Sequence, residues 1–283
     1  MLRFGFFVIS LFVAVLVYSS GSYAQTQSER QTLLTVWAGM LPIILSAPHG
    51  GRQSIPGVPV RSGAGVTQFA AGRDNNTDEL AETIALRLEQ RLKAKPFLVV
   101  ARFERKYLDA NRPAESAYES IGAKAYYDDY HGALREARER VVGEWGNGLL
   151  LDIHGQGAHA EAIYRGTGNG KTVRSLTRRF GKSAISGPKS IFSQLEIMGY
   201  KVLPSTTDSR REERYAGGYI VQTYGSHQGR GVDAIQLEIG TKFRARANLE
   251  RTATDLAEAI AVFAREYLPL LISPMPVRTA NEP

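Results

Sequence analysis

Gly148-Leu149-Leu150-Leu151-Asp152-Ile153-His154-Gly155 is the stretch from which the fold is read. Leu149 to Ile153 is the most hydrophobic short run downstream of the N-terminal segment, set off by Gly146 and Gly148, and its length suits a buried strand. Asp152 and His154 sit two residues apart, so on a strand both side chains face the same way. A second run, Leu41 to Ala47, leads in the same manner into Pro48-His49-Gly50-Gly51. Two of the chain's five histidines thus stand at the exits of apolar runs. Neutral imidazole is a strong zinc ligand, and a strand end holds it rigidly beside an open loop.

Working outward, strands and helices alternate. Thr32 to Trp37 and Leu41 to Ala47 read as a strand pair across an Ala-Gly-Met turn. Thr77 to Lys95 reads as an amphipathic helix with Thr77 as N-cap, Asp78 and Glu79 in the first turn, and Leu80, Ile84, Leu88 and Leu92 at helical spacing. Further strands are expected at Phe97 to Phe103 and Ala234 to Ile239, and helices at Tyr126 to Trp145, Ser190 to Met198 and Leu249 to Leu271. This order implies a single α/β domain with a mixed, mostly parallel sheet covered by helices on both faces.

Residues 1–24 read as a signal peptide: Arg3, the apolar run Phe4 to Tyr18, then Ser22-Tyr23-Ala24 before the cleavage point. Residues 25–35 read as a linker, 36–272 as the catalytic domain and 273–283 as a tail with Pro274, Pro276 and Pro283. The expected location is the periplasm or the exterior, with no stable membrane insertion after cleavage. No cysteine is present, so a metal would have to be held by histidine and carboxylate. The formal charge of +7 suits an anionic ligand, and export argues against nucleic acid.

In open α/β sheets ligands bind outside the carboxyl ends of the strands. His49, Arg102 with Arg105, His154 and Glu238 all fall at such ends. A catalytic zinc takes about three protein ligands and a water. His49 and His154 supply two, and the segment Arg73 to Glu79 supplies the third. Asp74 is preferred because it lies in the loop before the helix, while Asp78 and Glu79 have an ordinary place at the positive end of the helix dipole. Asp152 is expected to orient an imidazole.

These residues resemble a known family. Leu41-Pro-Ile-Ile-Leu-Ser-Ala-Pro-His-Gly-Gly51, Arg73-Asp74 with Thr77, Leu108-Asp-Ala-Asn-Arg-Pro113, Asp152-Ile-His154, Gly217-Gly-Tyr-Ile220 and Gln236-Leu-Glu-Ile-Gly240 follow one another as in the N-formylglutamate amidohydrolase family. The resemblance implies a fold related to the zinc carboxypeptidases, one zinc ion and hydrolysis of an amide next to a carboxylate. It assigns His49, His154 and the Asp74 segment to the metal, Asn111 and Arg112 to the substrate carboxylate and Glu238 to general base catalysis. Arg105 is then the candidate for steadying the oxyanion and Tyr219 for closing over the substrate, a small carboxylate-bearing amide or peptide.

Two features depart from the family pattern: the signal peptide, and a long glycine-rich segment, Ser54 to Gly72, before Asp74. Export favours peptides, N-acyl amino acids or cell-wall fragments as substrates. An exported carboxypeptidase or peptidoglycan-peptide amidase, and a non-catalytic binding module, are the alternatives. Arg165-Gly-Thr-Gly-Asn-Gly-Lys-Thr172 resembles a phosphate-binding loop but has arginine where the pattern needs glycine, and reads as a glycine-rich turn. His159 and His227 fall in polar loops, and His131 within the long helix.

Overall fold

The computed structural model describes residues 32–270. The segments expected to be a signal peptide and a tail from residue 273, and most of the expected linker, lie outside the described residues. Among those described, seven strands form one mixed sheet in the order β1-β3-β2-β4-β7-β5-β6. They are β1 (Leu34–Trp37), β2 (Ile43–Ala47), β3 (Phe97–Ala101), β4 (Gly148–Gln156), β5 (Ala162–Gly166), β6 (Lys201–Leu203) and β7 (Val232–Gly240). The principal helices are α1 (Thr77–Leu92), α2 (Lys124–Trp145), α3 (Arg174–Phe180), α4 (Ile191–Ile197), α5 (Tyr219–Tyr224) and α6 (Arg246–Tyr267). No helix among the described residues is long and apolar enough to cross a membrane.

The single α/β domain with a mostly parallel sheet is as expected. β3, β2, β4 and β7 run parallel, whereas β1 and β5 pair antiparallel with β3 and β7. Three expectations are corrected. β1 does not pair with β2, because β3 lies between them. Thr77 is not the N-cap of α1: that position is Asn76, in the left-handed region at φ 65°, and Thr77 is buried with its hydroxyl donating to the Asp74 carbonyl. β4 and β7 also run past the expected ends, so His154 lies within its strand.

Each parallel strand shows one face of the sheet a continuous apolar row. Ile43, Leu45 and Ala47, then Leu149, Leu151 and Ile153, then Ile235, Leu237 and Ile239 are buried with Leu80, Ile84 and Leu88 of α1 and Leu256 and Ile260 of α6. The other face is apolar only along its first half. Ile44, Leu150 and Ala234 are buried with Tyr130, Leu134 and Val141 of α2. One step further along come Ser46, Asp152 and Gln236, then His154 and Glu238, all buried. The polar end of this face is where the site forms.

Topology explains its place. From β2 the chain crosses through α1 to β3 on one side, then through α2 to β4 on the other, so the strand order reverses between β2 and β4. The loops leaving their carboxyl ends diverge and open a crevice there. Glycine lets the first of these loops pass closely: a Cβ at Gly50 would lie 2.4 Å from the Asp78 backbone nitrogen, and one at Gly51 2.3 Å from the Phe103 carbonyl.

Beneath the opposite end of β7, Asp233 accepts the Leu176 N–H in the first turn of α3, and burial pushes its pKa up to about 6. A carboxyl with a raised folded pKa stabilises at low pH, and that contribution is lost as pH rises from the unfolded value of 3.8 through about 6. Asp233→Asn keeps the acceptor and removes the ionisation. Its stability relative to the parent should therefore climb between pH 4 and 6 and level off at about 1–3 kcal/mol above pH 7. Urea melts across that range check this, and a difference independent of pH would contradict it.

Candidate metal centre

Three side chains from three separate elements meet in the crevice. His49 leaves β2, His154 projects from β4, and Asp74 precedes α1, its backbone N–H held by the His49 carbonyl at 3.0 Å. They are 1%, 2% and 8% exposed. His49 Nδ1 lies 3.1 Å from His154 Nδ1, and Asp74 Oδ2 lies 3.4 and 3.3 Å from those two nitrogens.

The partners of the other ring nitrogens fix what these contacts are. His49 Nε2 is 2.7 Å from Asp109 Oδ1, and His154 Nε2 is 2.8 Å from Asp152 Oδ2. Carboxylates only accept, so both rings carry their proton on Nε2 and turn the Nδ1 lone pair inward. With both rings neutral, two imidazole lone pairs and a carboxylate oxygen face one another. Such a set needs a cation between its members: burial alone would lower the His154 pKa, but Asp152 and Asp74 hold it well above its usual value, so a proton takes that place when no metal ion does. Ligands of a tetrahedral zinc at 2.0–2.1 Å stand roughly 3.3–3.4 Å apart, close to the spacings seen here. The donor set fits zinc: nitrogen and oxygen, three in number, buried, each imidazole backed by a carboxylate.

The outer contacts form a second layer. Asp152 also accepts from the Ser46 hydroxyl at 2.6 Å. Asp109 accepts the Asn111 N–H and the Arg105 Nε–H, the latter at 2.9 Å, and Arg105 Nη2 forms an ion pair with the same Oδ2 at 2.9 Å. Burial alone would raise the Asp109 and Asp74 pKa values, but the histidine contacts outweigh it and hold both well below the usual carboxylate range. Gly155 donates its N–H to Asp74 Oδ2 at 3.0 Å. Sequence reasoning quoted Asp109 within a motif and gave it no role; only the fold brings its loop against His49.

Glu238 stands beside this cluster. β4 and β7 pair in parallel with His154 opposite Glu238, and the carboxyl is 7% exposed. Its partner is the Gln236 amide at 2.8 Å; Lys242 pairs with Glu161 and Arg244 donates to the carbonyls of Asn75 and Ile239. Burial raises the Glu238 pKa, partly opposed by His154. Such a carboxyl is poised to exchange a proton.

The remaining expected residues surround the cluster. Arg105 reaches inward, with Nη1 4.0 Å from Asp74 Oδ1. Asn111 is buried, its oxygen taking the Ile220 N–H and its Nδ2 3.2 Å from His154 Nε2, so it ties α5 to the site. Arg112 donates to the carbonyls of Asn111 and Gln68, the latter in the glycine-rich segment. Tyr219 opens α5 with its ring packed on His131. Asp78 and Glu79 face Arg102 and Arg52. His131 is buried, with its pKa pushed down to about 4 by burial, and it donates Nε2–H to the Ala110 carbonyl next to Asn111.

This is an α/β fold with a buried His-Asp-His cluster and a neighbouring glutamate at the strand-order reversal. The N-formylglutamate amidohydrolase family profile matches residues 121–243, which include His154 and Glu238. The resemblance drawn from the motifs is thereby borne out. Among solved structures, an N-formylglutamate amidohydrolase from Ralstonia eutropha shares 20% identity at a TM-score of 0.58, over 82% of this chain and 98% of that one. A gene product from Agrobacterium tumefaciens shares 15% identity at a TM-score of 0.56, over 84% and 96% of the two chains. At those identities the two structures show the shared fold. No curated protein matches the chain in sequence. The family match and the site together support an amidohydrolase.

Asp109→Asn would turn an amide toward His49 Nε2 and loosen both the imidazole and Arg105. Zinc affinity should drop about 10- to 100-fold with the circular dichroism spectrum unchanged, as measured by competition with a chelator. Unchanged affinity would remove Asp109 from the site.

Proposed function

We propose that this protein is a zinc-dependent amidohydrolase, cleaving an amide beside a carboxylate in an N-acyl amino acid or short peptide. The observation that carries the reading is the convergence of His49 Nδ1, His154 Nδ1 and Asp74 Oδ2 on one point, with Glu238 in register beside it. When bound there, one zinc ion supplies Lewis acidity to the scissile carbonyl and to the attacking water.

The chain's own groups supply the rest. Glu238 takes a proton from the attacking water and passes it to the leaving amine; its burial beside His154 suits a carboxyl that must hold and release a proton in one cycle. Arg105, with Nε and Nη2 held by Asp109, keeps Nη1 for the developing oxyanion. Arg112 is assigned to the substrate carboxylate: its bond to the Gln68 carbonyl is exposed, and a carboxylate would replace that bond with a charged one. Asn111 positions the arginine and α5. Tyr219, on the two-glycine turn Gly217-Gly218, is assigned to the substrate side. Export to the periplasm or beyond is inferred from residues 1–24.

Glu238→Gln tests the assignment of the base. It should lower kcat by about 10²- to 10⁴-fold on a panel of N-acyl amino acids and leave zinc binding intact. Parent-like turnover in the variant would remove Glu238 as the base.

A further inference from the structure

Beside the strand that carries Glu238 lies a strongly basic region that the reaction chemistry does not use. Tyr164 of β5 is the register partner of Glu238, and it also lines a cavity of about 430 Å³ under the segment from Lys201 to Tyr215. The cations of that cavity are Arg165, Lys201, Arg210, Arg211 and Arg214. A second cavity of about 930 Å³ shares Arg165, Arg210, Arg211 and Glu212 with it and adds Lys171, Arg174 and Lys182. Eight cationic side chains therefore line two adjoining cavities against three carboxylates, Asp208, Glu212 and Glu213.

Two of the three carboxylates are already engaged. Glu212 takes the N–H groups of Thr167 and Asn169 and the Thr167 hydroxyl, tying its loop to the glycine-rich turn, and Asp208 pairs with Arg210. Arg165 lies between the cavities over the Phe192 ring, with Nε and Nη1 buried and without a hydrogen bond; Nε stands 3.5 Å from Glu212 Oε1. Buried guanidinium nitrogens lacking hydrogen bonds are costly, and anionic oxygens reaching them would supply the missing acceptors. A single anion would call for cations focused on one point, whereas these are spread along two cavities. Their combined space exceeds what one acylated amino acid fills.

We infer that this basic trough holds the distal part of an acidic peptide chain, several carboxylates long, whose amide is presented to Glu238. The inference names the substrate class of the proposed hydrolase site and so rests on that reading. Along such a ligand the Arg165 region meets carboxylates at successive residues, and the Glu212 contacts keep the trough shaped before it arrives.

The test is direct binding of a fluorescein-labelled hexaglutamate peptide by anisotropy, at low and at physiological salt. The zinc-loaded parent should bind it, hexaglutamine should not compete, and affinity should fall with salt. The double reversal Arg210→Glu/Arg211→Glu should weaken binding at least about tenfold. Absence of hexaglutamate binding, binding unaffected by the reversal, or equal competition by inorganic polyphosphate would overturn the inference. Because the readout is binding, failure of the hydrolase reading is seen separately, as a protein that binds hexaglutamate and cleaves no amide.

Discussion

Two imidazole lone pairs and a carboxylate oxygen, held within 3.4 Å of one another in a buried crevice, are the interaction around which the rest of this structure is organised. Without a cation between them they repel, so the fold has to hold them together. Parallel pairing of β2, β4 and β7 does most of this, because register aligns Ser46 with Asp152 and Gln236, and His154 with Glu238. The loop Leu108 to Asn111 then closes from the side and fixes His49 through Asp109. Each contact is a hydrogen bond to a charged group, the kind worth most when water is excluded.

The arrangement rests on a change of character along one sheet face. Ile44, Leu150 and Ala234 pack on α2 and give the strands their burial, while the next positions along the same face are polar. The opposite face stays apolar to its end, anchored on α1 and α6. Stability and chemistry are thus separated by position along the strand as well as by face. Function needs the crevice to stay open, and the reversal of strand order between β2 and β4 supplies that opening.

Much of this is legible in the residues. Apolar runs long enough to bury a strand or pattern a helix locate β2, β3, β4, β7 and the three long helices. Strand ends carrying histidine or glutamate point to the site. Three kinds of feature escape such reading. β5 and β6 are short and carry arginine or lysine, leaving too few residues for an alternating pattern to register. Pairing partners depend on crossovers, which is why β1 sits on β3 and not on β2. Asp109 lies in a loop whose approach to His49 is a tertiary event, though its place in Leu108-Asp-Ala-Asn-Arg was a usable sign. Ser46 and Gln236 were available too, as polar residues at the level of Asp152 in neighbouring strands.

The claim on which everything turns is that the three converging acceptors bind a metal ion. The direct measurement is zinc content of the purified protein by mass spectrometry, beside His154→Ala prepared in the same way. The account predicts close to one zinc per chain in the parent and a large loss in the variant. A parent that stays metal-free after incubation with zinc, or a variant that keeps the full complement, would contradict it.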